Sequence, residues 1–151
     1  MIEFDSQIGI ERAPAPIFAV LADFERYLAR WAKGPVAARR TTGDGGVGTR
    51  YTVVARIGLL KARSPYEVQV CEPPVRFGGS GVAGPVRFHE EYLLTEHGSV
   101  TLLTQSITAR PRGPFRLVEG PLRRQLRSLI QADLGRLKAL VEAEVPQQPN
   151  G

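Results

Sequence analysis

Apolar and polar residues alternate at the start of the chain. Ile2, Phe4, Ile8 and Ile10 take even positions with Glu3, Asp5, Gln7 and Glu11 between them, the period-2 pattern of a strand with one buried face. Ala13-Pro14-Ala15-Pro16 ends this strand. Proline is tolerated in a first helical turn, which assigns Ile17, Phe18, Val20 and Leu21 to a short helix. Asp23 suits the cap of a second short helix carrying Phe24, Tyr27, Leu28 and Trp31, which Gly34-Pro35 stops.

From Val36 to Arg110 apolar and polar segments are separated by turn signals at hairpin spacing. Strands are predicted at Val36 to Thr42, Gly48 to Leu60, Arg63 to Cys71, Val75 to Gly81, Val86 to Thr95 and Ser99 to Arg110. No helical stretch long enough for a parallel crossover intervenes, so the sheet is expected to be antiparallel. The last third changes period: Leu122, Leu126, Leu129, Ile130, Leu134, Leu137, Leu140 and Val141 share one face of a long amphipathic helix. Gly120-Pro121 is predicted to kink or hinge it away from a turn holding Phe115, Leu117 and Val118. Residues 146–151 are expected to form a disordered tail, leaving one domain over 1–145.

Composition narrows the function classes. At 151 residues one domain has room for a core and a cavity. The single Cys71 cannot form an internal disulfide, and no Cys/His spacing resembles a zinc site, so no metal or other cofactor is expected. The opening Met1-Ile2-Glu3-Phe4-Asp5 lacks the character of a signal peptide and no apolar run reaches a membrane span. A cytoplasmic setting without stable membrane insertion is expected. The net charge of +5 and isoelectric point near 9.9 come from basic residues spread along the chain, which reads as a solvated helix face and not as a nucleic-acid site.

The order of one strand, two short helices, six strands and one long helix comes with matching local segments. These are Ile10-Glu11-Arg12-Ala13-Pro14-Ala15-Pro16-Ile17-Phe18-Ala19-Val20-Leu21-Ala22-Asp23-Phe24-Glu25-Arg26-Tyr27 with Trp31, then Gly48-Thr49-Arg50-Tyr51, then Asp133-Leu134 with Leu137-Lys138-Ala139-Leu140-Val141-Glu142. In these the sequence resembles the START/Bet v 1-like (SRPBCC) superfamily, in particular its bacterial polyketide cyclase/dehydrase and lipid transport branch. The resemblance implies an α+β helix-grip fold: a curved, seven-stranded antiparallel sheet with two short helices, gripping one long C-terminal helix. It also implies an apolar ligand, such as a lipid, sterol or polyketide, between sheet and helix. A minority of such proteins catalyse cyclisation or dehydration in that cavity, but no catalytic motif of the cyclases is matched here.

Gly43-Asp44-Gly45-Gly46-Val47-Gly48-Thr49-Arg50 has the glycines of a phosphate-cradling loop but neither the Lys-Ser/Thr pair nor the following helix, and is predicted to be a flexible hairpin. In the next strand Tyr51, Val53, Ala55 and Ile57 share a face assigned to the interior, as do Tyr66, Val68 and Val70 after it. Phe88, Glu90 and Tyr92 are assigned inward together, which puts a carboxyl in or beside the cavity. Such a group has a raised pKa and is a catalytic candidate, as an acid or base. The alternative is that Glu90 pairs with a cross-strand Arg or sits at a wet mouth. Asp133 falls inside the apolar arc of the long helix, either tied to the N-terminal helices or an Arg, or anchoring a ligand's polar end. Tyr27 and Trp31 suit a pocket wall or the core equally.

The expected ligand-binding set is therefore Tyr27, Trp31, Tyr51, Val53, Tyr66, Val68, Phe88, Glu90, Tyr92, Leu122, Leu126 and Asp133. Access is expected where the Leu59-Leu60-Lys61, Val82 to Pro85 and Arg110 to Pro114 loops meet. His89 and His97, with no third ligand or nucleophile, and Cys71, with no base, carry no chemistry. Three functions remain: a carrier of an apolar molecule, an aromatase/cyclase-like enzyme acting through Glu90 or a pocket Tyr, and a lipid exchanger whose Arg116, Arg123, Arg124 and Arg127 meet anionic headgroups.

Overall fold

The structure is a computed structural model that describes residues 1–57 and 59–147, with the backbone alone at Ile57. The predicted inward side chain of Ile57, residue Gly58 of the predicted Gly48 to Leu60 strand, and positions 148–151 of the predicted tail lie outside the described residues.

The strands are β1 (Ile2–Ile10), β2 (Pro35–Thr42), β3 (Arg50–Ile57), β4 (Leu60–Glu72), β5 (Arg76–Ala83), β6 (Val86–His97) and β7 (Val100–Pro111). They form one antiparallel sheet in the order β1-β7-β6-β5-β4-β3-β2. Helix α1 (Pro14–Ala22) follows β1, and a π-type turn (Phe24–Leu28) runs into a short helix α2 (Ala29–Trp31). A 3-10 turn (Gly113–Val118) leads into α3 (Glu119–Glu144). This is the seven-stranded sheet with a long C-terminal helix that the sequence implied.

Side-chain period explains the register, with one correction: a bulge in β4 between Val68 and Val70 brings Cys71 inward and pairs Val70, predicted inward, with Gly78 on the outer row of Glu91. Across the inner face run the cross-strand rows Phe4, Ile107, Glu90, Gly79, Val68 and Ser6, Gln105, Tyr92, Phe77, Cys71. A one-residue slip would expose both rows, so burial fixes the pairing. Three glycines let the sheet curl at β5. A Cβ on Gly79 would stand 2.2 Å from Glu67 O and 2.8 Å from the Tyr66 ring, and one on Gly78 would stand 2.4 Å from Glu90 O. A Cβ on Gly81 would meet the Phe88 ring at 2.8 Å. Glycine in a strand interior marks such close approaches.

Two apolar clusters hold α3 to the sheet. Leu134, Leu137 and Val141 are buried with Ile10, Ile17, Leu21, Leu103 and Phe77. Each such side chain contributes about 1.5–3 kcal/mol on burial. Leu122 and Leu126 pack against a smaller group of Ile2, Phe4, Val86, Ile107 and Ala109. Phe88 and Ile130 touch both clusters. Arg12 fastens the far end of α3, its Nε donating to Val145 O at 2.8 Å and its Nη2 to Glu142 O at 3.0 Å. A cation there complements the negative pole of the helix.

Asp23 caps the second short helix as expected, its Oδ1 accepting from Arg26 N at 3.3 Å. The predicted hinge at Gly120-Pro121 is corrected: both residues fall in the first turn of α3, which follows the 3-10 turn without a break. The proline N–H would have had no intrahelical partner at that position, so Pro121 starts the helix at no cost. The β3–β4 connection lies earlier in the chain than predicted, with Ile57 paired to Leu60 and Lys61 already inside β4. The glycine-rich stretch is a hairpin loop, in which Gly45 N donates to Thr49 Oγ1 at 2.8 Å.

Candidate functional site

Between α3 and the sheet lies a cavity of about 610 Å³, within the ~300–1,000 Å³ of small-molecule sites. Its walls are mostly apolar: Val53 and Ala55 from β3, Ala62 and Pro65 from β4, Phe88 from β6, Phe24, Leu28 and Trp31 from the short helices, and Leu129 and Ile130 from α3. Tyr66, Glu90, Tyr92, Gln105, Gln125 and Asp133 supply polar groups.

Alternation along β6 aims Glu90 inward, where it is 8% exposed. Its Oε1 accepts from Tyr66 Oη at 3.0 Å, and its Oε2 from Gln105 Nε2 at 3.0 Å and Tyr92 Oη at 3.3 Å. No cation stands within ion-pair distance of it among the described residues. Burial pushes its pKa up to about 7, against the pull of the three hydrogen bonds and with a further push from the charge of Asp133. The Tyr66 and Tyr92 phenols are driven well above their ordinary range, by burial first and by the Glu90 charge second.

Asp133 is handled differently. Its Oδ1 accepts from Lys33 N at 3.1 Å and from Arg136, whose Nε donates in turn to Trp31 O at 3.0 Å. The carboxylate thus ties α3 to the end of α2. Burial still raises its pKa, opposed by the Lys33 N–H and by Arg136. Two buried polar atoms on lining residues have no partner among the described residues, the Trp31 Nε1–H donor and the Gln105 Oε1 acceptor. Unpaired groups of this kind each cost about 1–3 kcal/mol and are satisfied by water or a ligand.

Seven of the twelve expected residues meet around the cavity: Trp31, Val53, Tyr66, Phe88, Glu90, Tyr92 and Asp133. Tyr51 and Val68 are buried in the main core instead, and Tyr27 packs beside it with Arg26 and Arg30 over its ring. Leu122 and Leu126 pack on the smaller cluster, and Gln125, Leu129 and Ile130 take the cavity-facing place on α3. Of the expected access loops, Val82 to Pro85 lines the cavity. Sequence reasoning missed Gln105, although its place in the inward row Leu103, Gln105, Ile107 was a signal: a polar residue on an otherwise apolar face.

The structure resembles several solved proteins that share the fold. Ara h 8.0201 superposes with a TM-score of 0.76 at 13% identity, over 94% of this chain and 98% of that one. A conserved protein from Geobacillus kaustophilus gives 0.76 at 18%, over 94% and 96%. The di-domain aromatase/cyclase BexL of the BE-7585A biosynthetic pathway gives 0.73 at 13%, over 94% of this chain and 47% of that one. No curated protein matches in sequence. Residues 1–142 match the family described as polyketide cyclase/dehydrase and lipid transport, and the chain belongs to that family.

Proposed function

We propose that the protein binds and carries an apolar small molecule, a lipid, polyketide or similar compound, in the cavity between sheet and α3. The observation that supports this most directly is the pairing of apolar walls with a few convergent polar groups: Glu90 and its three donors, the free Trp31 N–H and the free Gln105 carbonyl. Such a site holds an apolar body by burial and orients it through one carbonyl or hydroxyl. Trp31 is the chain's single tryptophan, so its emission reports occupancy directly. Native mass spectrometry after incubation with a cell extract tests the proposal. A stoichiometric adduct released unchanged is expected, and its absence overturns the carrier function.

Glu90 favours a second function. A carboxyl that titrates near neutrality inside an apolar site can donate and recover a proton, as enolisation and dehydration of a carbonyl compound require. An extract compound that loses the mass of water over time, and stops doing so in Glu90→Gln while still binding, would establish the enzyme. Membrane exchange has less support. Of the four candidate arginines, Arg123 donates to Glu3 O and Arg127 lies over the Phe4 ring.

A further inference from the structure

The sheet parts between β4 and β5. Pairing runs from Glu72 and Arg76 to Tyr66 and Gly81 and ends there, so Leu60 to Pro65 on one side and Val82 and Ala83 on the other face each other without a ladder. Pro65 stands at the split and has no N–H to donate across it. Beyond the split, on the outer face of the sheet, is a second hollow of about 510 Å³. Pro65, Tyr66, Val82 and Phe88 line both this hollow and the inner cavity. The partition is two aromatic rings, Tyr66 and Phe88, with centroids 6.2 Å apart, the Phe88 ring against Gly81 and the Tyr66 ring against Gly79, neither of which has a Cβ to displace them.

The outer hollow is cationic. Arg50, Arg87 and Arg110 line it with His89, Ser80 and Thr108, and Glu67 is its one carboxylate, 3.7 Å from Arg50. Arg87 and Arg110 are direct cross-strand partners, a like-charged placement that is unfavourable by itself. Among the described residues no carboxylate lies within ion-pair distance of either. An anion held between them would relieve the repulsion and match the forked donors of arginine.

We propose that the ligand is an anionic amphiphile: its apolar body fills the inner cavity, and its phosphate or carboxylate head passes through the slot between β4 and β5 onto Arg87 and Arg110. This rests on the carrier function above and names its ligand class. It also separates two polar sites. Inside, no cation among the described residues stands within ion-pair distance of Glu90 to receive an anionic head, and outside the arginines attract one.

Dodecanol, dodecyl phosphate and inorganic phosphate test this on the full chain, with Trp31 emission following the alkyl ligands and calorimetry following phosphate. Dodecyl phosphate should bind about tenfold more tightly than dodecanol, the scale of one charge-assisted hydrogen bond. The double variant Arg87→Ala/Arg110→Ala should lose that advantage and bind dodecanol as the wild type does. Equal affinities in the wild type, or an advantage that survives the double variant, would overturn the slot. Inorganic phosphate that binds the wild type without any preference for dodecyl phosphate would leave only a separate anion site and also overturn it. If neither alkyl ligand binds, the carrier function itself fails.

Discussion

The two halves of α3 do different work. The C-terminal half presents Leu134, Leu137 and Val141, each 0–1% exposed, to a closed core. The N-terminal half presents Leu129 and Ile130 to a cavity and leaves them half-buried. Both halves carry the same apolar period, yet one is clamped and the other roofs a space. Stability and the proposed binding are thereby placed at opposite ends of one helix, and substitutions should separate them.

The largest effect is expected at the clamp. Leu137→Ala removes a fully buried side chain among Ile10, Ile17 and Leu103, at a cost of about 2–5 kcal/mol. Urea unfolding should show the midpoint falling with an unchanged slope. A loss below about 1 kcal/mol would mean that the helix end is held by Arg12 and not by packing.

Next comes the pH dependence that Glu90 imposes at the cavity end. Its folded pKa, about 7, lies above the ordinary 4.5, so the folded state holds the proton more tightly than the unfolded chain does. The stabilisation is fully present below pH 4.5 and is lost as pH rises through 7, by about 3 kcal/mol. Glu90→Gln should remove this slope from stability measured between pH 4.5 and 8. The smaller contribution of Asp133 has the same sign and should remain. An unchanged slope in the variant would show that Glu90 stays ionised.

The same contrast shows what the sequence made legible. Alternation placed Phe88, Glu90 and Tyr92 inward because a strand's faces follow directly from position, and the long helix followed from its period. The arc of α3 that meets the cavity was not legible, since Leu122, Leu126 and Leu129 all lie within one stripe. Their division depends on how the curled sheet stands beneath the helix. That curl originates in Gly78, Gly79 and Gly81, whose close contacts with Glu90, Glu67 and Phe88 depend on the register that β5 takes against its neighbours β4 and β6. The Arg136 partner of Asp133 was readable at i+3, whereas the Lys33 backbone donor required the tertiary structure.

Gly79→Ala probes the curl. The new methyl group meets the Glu67 carbonyl and the Tyr66 ring, a strain of about 1–3 kcal/mol. Because Tyr66 holds Glu90, the variant should also alter ligand affinity, while Leu137→Ala should leave the affinity of its folded fraction unchanged. Titration of Trp31 emission on both variants compares the two.

Leu129→Trp is expected to have the smallest effect on stability and the greatest on binding. Leu129 is half-buried and faces the cavity, so a larger side chain can enter open space without displacing packed neighbours, and the unfolding free energy should change by about 1 kcal/mol or less. The indole would occupy part of the volume a ligand needs, and binding should be lost. Leu126→Trp offers the paired control: Leu126 packs on Ile2, Phe4 and Ile107 and does not line the cavity, so overpacking should cost about 1–3 kcal/mol and leave the ligand's place open. Native mass spectrometry for binding and urea unfolding for stability would read both variants. The reverse outcome, with Leu126→Trp blocking the ligand and Leu129→Trp unfolding the chain, would move the cavity one helical turn toward the N-terminus of α3.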